Sequence, residues 1–233
     1  MRVGIICASD DELAPFLPLI EDCSVTEKAK LKFYSGTIHG VQVTALYSGV
    51  CKVNAAVAAQ LLIEEFKVKA VINSGAAGGM DPDVEILDTV ISTQAVYHDV
   101  AADVLTDFHP WMETEIFYAD DKLVELSKAA VGNLGLTDKV HYGRTATGEA
   151  FIDDSGRDEI NEKYAPLSVD METAAIAHVC YVFNVPFIAI RSITDTARHS
   201  GEANFELNCK NASETACRIT AGLLKELHKN AGK

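Results

Sequence analysis

The feature that most constrains this chain is the run Pro186-Phe187-Ile188-Ala189-Ile190-Arg191-Ser192-Ile193-Thr194, which ends on Asp195. A strand so nearly continuous in apolar residues is of the kind buried on both faces of a sheet. The fold must therefore cover that sheet above and below, and an acidic residue at the strand's end must be held there for a reason. A second acid, Glu172, sits where a short strand (residues 167–169) passes into a helix rich in Ala and Val. A carboxylate pushed toward a sheet interior costs several kcal/mol unless it is paired, hydrogen-bonded or protonated. In open α/β sheets ligands bind outside the carboxyl ends of strands. Two acids at two such ends mark a candidate reaction site.

Strand and helix signals alternate along the rest of the chain. Residues 2–8 read as a buried strand, and the acidic run behind them opens a helix over 12–19. Residues 33–38 and 41–48 flank His39-Gly40 as a hairpin. Helical spacing of Val53, Val57 and Leu61 marks 51–66. A short strand at 70–74 leads into Gly75-Ala76-Ala77-Gly78-Gly79, which reads as a turn. Further strands are expected at 86–97 and 140–147, and helices at 121–134, 155–164 and 203–228, the last with Leu223 and Leu227 on one face. Residues 99–117 read as irregular and carry the only tryptophan, Trp111, beside His109 and Pro110; a loop of that length is usually functional or lies at an interface. This alternation indicates an α/β layer structure with a mixed sheet. With 233 residues, 48% hydrophobic, and no long linker or repeat, the reading is one domain over 1–233.

Charge and cysteine usage narrow the partners. A formal net charge of −14 argues against non-specific binding to nucleic acid or anionic lipid, which need clustered Lys and Arg. No apolar stretch is long enough to span a membrane, and the N-terminal apolar run is too short for a signal peptide. The six cysteines form no CxxC pair, which fits reduced thiols in the cytoplasm, and the seven histidines show no metal-binding spacing. The expectation is no metal, no cofactor, and small molecules or copies of itself as partners.

Each motif has a plainer reading. The glycine-rich run is neither a P-loop nor a dinucleotide fingerprint. Asp10-Asp11-Glu12 suits a helix N-terminus, and Asp170 is the natural cap of the helix that follows it. Arg191 is either a structural partner for one of the carboxylates or part of the site. Phe151-Ile152 reads as core. His98-Asp99 has no nucleophile beside it and reads as structural.

Taken in order, Gly4-Ile5-Ile6 with Glu12, Ser48-Gly49-Val50 with Lys52, Asn73-Ser74-Gly75-Ala76-Ala77-Gly78-Gly79, Tyr97-His98-Asp99, Ala150-Phe151-Ile152, Met171-Glu172 and Ser192-Ile193-Thr194-Asp195 form one pattern. It closely resembles the 5′-methylthioadenosine/S-adenosylhomocysteine nucleosidases of the purine nucleoside phosphorylase superfamily, from near residue 1 to about residue 228. Residues 170–180 with Asn184-Val185-Pro186-Phe187 are its most specific part. The resemblance implies a three-layer αβα fold around a mixed, partly barrel-like sheet, a homodimer, and cofactor-free hydrolysis of the bond between adenine and the thioribose. 5′-Deoxyadenosine is a further expected substrate. By position, Asp195 would protonate the purine with help from Thr194, and Glu12 would activate water. Met171 and Glu172 would hold the ribose hydroxyls. Phe151 would stack on adenine, the Ile152 backbone would read its edge, and Phe205 would close over it. Arg191 would position the water and the acids, while Ala76, Gly78 and Val50 would line the substrate site.

The chemistry agrees with these roles. Cleavage builds positive charge on the sugar and negative charge on the departing base, so an acid must meet the base while a second carboxylate supports water. An apolar strand end supplies the desolvation that keeps an aspartic acid protonated. Phosphorolysis is disfavoured, because Ser9-Asp10-Asp11-Glu12 stands where the related phosphorylases place a phosphate-binding arginine, and Asn73 precedes the glycine-rich run. The chain departs from the common pattern at Cys51 (usually glycine), Ala76 (often serine), Glu149 (often aspartate) and across 100–117. Two alternatives stay open: a nucleosidase for another 5′-modified adenosine such as aminodeoxyfutalosine, and a non-catalytic nucleoside-binding protein of the same fold.

Overall fold

The computed structural model of the chain describes residues 1–109, 111–153 and 156–231. Its elements in chain order are β1 (Arg2–Cys7), α1 (Asp10–Leu13), a 3-10 turn (Leu17–Leu19), β2 (Glu21–Lys28), β3 (Leu31–Ile38), β4 (Val41–Tyr47), α2 (Lys52–Glu64), β5 (Ala70–Gly79) and β6 (Thr89–Tyr97). They continue with α3 (Val104–Asp107), β7 (Phe117–Tyr118), α4 (Asp121–Leu134), β8 (Val140–Thr147), α5 (Arg157–Tyr164), β9 (Ser168–Asp170), α6 (Thr173–Phe183), β10 (Phe187–Asp195) and α7 (Glu202–Ala231). One mixed sheet runs β2-β3-β4-β1-β5, and from β5 it closes on itself through β10, β6, β8 and β9. The result is a five-stranded barrel with a four-stranded extension. Strands β4, β1, β5 and β10 run parallel, so the carboxyl ends of β1, β5 and β10 open on one edge.

Helices cover both faces, as the run ending at Asp195 requires. Ile188 and Ile190 of β10 pack with Ile5 and Ile72 against Phe16, Leu123, Leu223 and Leu227 on the side of α4 and α7. Ala189, with Ile6 and Val71, packs against α2 and α6 through Ala58, Leu62, Ala174 and Ile176. Alternate residues thus serve two apolar layers, and each fully buried isoleucine contributes about 1.5–3 kcal/mol relative to exposure. The three-layer expectation holds. No helix among the described residues is long and apolar enough to cross a membrane.

Three expectations need correction. The glycine-rich run is the second half of β5 rather than a turn, paired to β10 from Gly75 to Gly78. The helix expected over 12–19 ends at Leu13, because Pro15 and Pro18 withhold backbone donors and clash with a continuing helix; one 3-10 turn follows. Within 99–117 the chain forms α3 and β7 rather than staying irregular throughout, and Pro110 lies outside the described residues. The fully exposed edge strand β2 had no sequence signal. The hairpin turn at His39-Gly40 is as expected, with φ of 48° and 78°. The helix expected from Ser155 begins at Arg157, and Ser155 itself lies outside the described residues.

Candidate active site

At the open edge of β1, β5 and β10 lies a cavity of about 310 Å³, walled by Glu12, Ala76, Gly78, Met171, Glu172, Arg191 and Asp195 and rimmed by Val50, Phe151, Ile152, Glu202 and Phe205. All of the expected site residues except Thr194 line it. Thr194 lies one residue back on β10 and reaches Asp195 from behind.

Glu12 is placed by the tight β1–α1 connection. Ser9 caps α1 by accepting from the Glu12 N–H (3.3 Å), and the Glu12 side chain folds back over the turn. Its Oε2 accepts from the N–H groups of Ala8 (2.5 Å) and Ser9 (3.4 Å), and Oε1 from that of Ala76 (2.7 Å). The carboxylate is 3% exposed. Gly75 permits this approach, because a Cβ there would collide with the Glu12 carboxyl group. At Gly78 a Cβ would lie 3.2 Å from Asp195 Oδ2, a tight contact that asks that side chain to give by a few tenths of an ångström. Glycine in β5 is thus demanded by Glu12 and eases the approach of Asp195. Gly75 and Gly78 are three residues apart along the strand, about 10 Å of rise.

Asp195 is 1% exposed. Its Oδ1 accepts from the Thr194 hydroxyl at 2.9 Å, while Oδ2 has no hydrogen-bond partner. Burial pushes its pKa up, against the Thr194 hydrogen bond and the guanidinium of Arg157, whose Nη2 is 3.9 Å from Oδ2. A buried carboxyl oxygen without a donor is favoured in the protonated form, which then has a proton to give.

Glu172 stands at the N-cap of α6, yet its side chain does not cap that helix. Asp170 takes that task, with Oδ1 accepting from the N–H groups of Glu172 (3.3 Å) and Thr173 (3.2 Å) and from the Thr147 hydroxyl (2.6 Å). Glu172 instead accepts from the Cys51 N–H at 2.9 Å and from Arg191 Nη2 at 3.1 Å. Burial first, with Asp170 and Glu12 nearby, pushes its pKa up to about 7 against the opposing pull of Arg191 and the Cys51 N–H. Arg191, 2% exposed, also lies 3.2 Å through Nε from Asp170 Oδ2. Burial opposes its charge, but Asp170, Glu12 and Glu172 outweigh that and hold it protonated. Arg191 is therefore the partner of two carboxylates and a wall of the cavity at once.

Phe151 and Phe205 meet edge to face at 6.2 Å over the cavity mouth, where Phe151 is 44% exposed rather than core. Asp99 is taken by Lys52, both oxygens at 2.8 Å from Nζ, and by the Glu149 N–H at 2.9 Å. It braces the loop after β8 against α2 and does not orient His98.

The chain can now be set beside known proteins. The profile of the Phosphorylase superfamily matches residues 2–225. A 5′-methylthioadenosine/S-adenosylhomocysteine nucleosidase of Anoxybacillus flavithermus is 36% identical over 234 residues, covering 98% of this chain and 100% of its own. The chain belongs to that nucleosidase family. Among solved structures, the nucleosidase of the same name from S. pneumoniae, in complex with a transition-state inhibitor, superposes with a TM-score of 0.89 at 27% identity, covering 97% of this chain and 100% of that one. A futalosine hydrolase of Helicobacter pylori superposes with a TM-score of 0.88 at 24% identity, over 97% of this chain and 98% of that one, a likeness of fold.

Sequence reasoning missed some of the residues around this cavity. The Ser9-x-x-Glu12 capping box was legible and would have shown that Glu12 folds back on the β1–α1 turn. Asp170 was read as a cap but not as a partner of Arg191. Arg157 gave no signal, because it lies at the start of an otherwise polar helix.

Proposed function

We propose that the protein hydrolyses the N-glycosidic bond of 5′-methylthioadenosine and S-adenosylhomocysteine, and of 5′-deoxyadenosine, releasing adenine and the 5-substituted ribose. The observation that carries this reading is the unpartnered Oδ2 of buried Asp195 in a cavity that also holds Glu12, a carboxylate tied down by backbone donors. Asp195 gives its proton to the departing adenine, and Thr194 keeps the side chain aimed. Glu12 accepts a proton from the attacking water on the opposite side of the sugar, and its backbone hydrogen bonds hold the side chain in place for this task. Glu172, at the foot of α6, accepts hydrogen bonds from the ribose hydroxyls with Met171 against the sugar. Arg191 keeps Glu172 and Asp170 in place and positions the water, a cation among the acids that share the cavity with apolar residues. Phe151 and Phe205 enclose the base, with the Ile152 backbone at its edge, Ala76 and Gly78 beneath it and Val50 by the 5′ tail.

Water is the nucleophile in this reading. Two like charges about 4 Å apart repel by about 1 kcal/mol even in bulk water and by more in a cleft, so the acids of this cavity disfavour a phosphate dianion. A second copy of the chain completes the assembly as a homodimer. The test is adenine release from 5′-methylthioadenosine, S-adenosylhomocysteine, 5′-deoxyadenosine and aminodeoxyfutalosine. The first two should be the best substrates, and Asp195→Asn should bind them yet turn over at least about 100-fold more slowly. Full activity in that variant would remove the acid assignment, and release from aminodeoxyfutalosine alone would move the substrate to the alternative class.

A further inference from the structure

The mechanism above leaves a buried cation, Arg157, without a task. It is the first residue of α5, where burial is confined to Arg157 and Ile160. At 4% exposure its guanidinium is threaded under the end of β5. Nη1 donates to the Gly79 carbonyl and lies 3.2 Å from Met80 Sδ, while Nη2 donates to the Ile152 carbonyl at 3.5 Å. These acceptors are neutral, so they hold the fork in place without cancelling its charge. The same Nη2 lies 3.9 Å from Asp195 Oδ2, the oxygen that has no hydrogen-bond partner. A helix opening with an arginine would ordinarily leave it in water, since burying a charge is costly.

We propose that Arg157 is a positioning residue for the general acid: its charge steadies the Asp195 carboxylate left behind when the proton passes to adenine, and its fork joins that carboxylate to the Ile152 carbonyl of the adenine-binding segment. This rests on the nucleosidase reading and deepens it. The acid must be neutral before transfer and charged after it. Desolvation alone secures the first state and penalises the second. A cation in direct contact would do the opposite and ionise Asp195 from the start. A guanidinium anchored to backbone carbonyls and set back at 3.9 Å lies between these limits. Among the described residues no other group substitutes for it. β5 presents Ala77 and Gly78 beside Asp195 and β9 presents Val169, none of them titratable, and Thr194 offers only a hydroxyl. Glu12, Asp170 and Glu172 line the same cavity with Glu202 of α7 at its rim, all acids, and Arg191 is already engaged by Asp170 and Glu172.

The experiment is the pH dependence of kcat/KM for adenine release from 5′-methylthioadenosine by the wild type and by Arg157→Gln, Arg157→Met and Arg157→Lys. The alkaline limb, where free enzyme loses the Asp195 proton, should move upward by about one pH unit in the glutamine and methionine variants, because an opposite charge within ~4–6 Å depresses a carboxyl pKa by about 1–3. Lysine keeps the charge and should keep the wild-type limb. The apolar methionine variant carries the test if the glutamine variant does not fold. A limb left in place by both neutral variants, with only kcat reduced, would overturn the proposal and make Arg157 a packing residue. A limb moved as far by lysine would overturn it too, since charge would then not be the cause. Wild-type protein that releases no adenine would instead defeat the underlying reading.

Discussion

Cys51 should be the most profitable single position at which to stabilise this protein. Its backbone has φ 82° and ψ 161°, a region that a side chain occupies at a cost of about 1–3 kcal/mol. The conformation cannot relax freely, because the Cys51 N–H is the donor to Glu172 Oε1 at 2.9 Å and the next residue opens α2. Cys51→Gly removes the strain and keeps the donor, while the freer unfolded chain returns about 0.5–1 kcal/mol of the gain. The net expectation is a stabilisation of about 1 kcal/mol, which for a chain of this size raises Tm by about 2–4 °C. The assay is thermal unfolding followed by circular dichroism, with Cys51→Ala alongside. Alanine retains a Cβ and should gain nothing, which separates strain from loss of the thiol contact with Glu149. A glycine variant no more stable than wild type, or an alanine variant that gains as much, would refute the reasoning.

Two further outcomes follow from the geometry. Glu172 has a folded pKa raised to about 7, so it contributes stability that is fully present below its unfolded value of 4.5 and is lost as pH rises to about 7. Relative to Glu172→Gln, the wild type should therefore lose stability across that window in urea unfolding, and a gap independent of pH would contradict the shift. Trp111 is 62% exposed and Tyr118 61% in a groove with Phe117, Tyr181 and Val182, and the homodimer proposed above should bury this face. Light scattering should give the mass of two chains for the wild type and of one for Trp111→Glu; a monomeric wild type would exclude the dimer.

What was legible in the sequence, and what was not, has a physical pattern. Elements whose periodicity is set by their own burial were read accurately: β8 and α4 fall at the expected residues, and β10 differs by one at each end. The glycine-rich run was misread, because its glycines answer a tertiary demand, the close approach of Glu12 and Asp195, rather than a local bend. β2 is exposed along its whole length, so no alternation marked it. The first helix is shortened by Pro15 and Pro18, which are plain in the sequence and override the acidic start that favours a helix there. In the site, the acids stood out because they interrupt apolar sequence. Their partners did not: Asp170 and Arg191 are 21 positions apart in sequence and meet only because β9 and β10 both belong to the closed barrel.

That water rather than phosphate attacks the sugar is tested by identifying the sugar product of 5′-methylthioadenosine in ¹⁸O-labelled water with inorganic phosphate present. The account predicts free 5-methylthioribose carrying one ¹⁸O, at a rate that phosphate does not raise. A sugar 1-phosphate free of the label would contradict it.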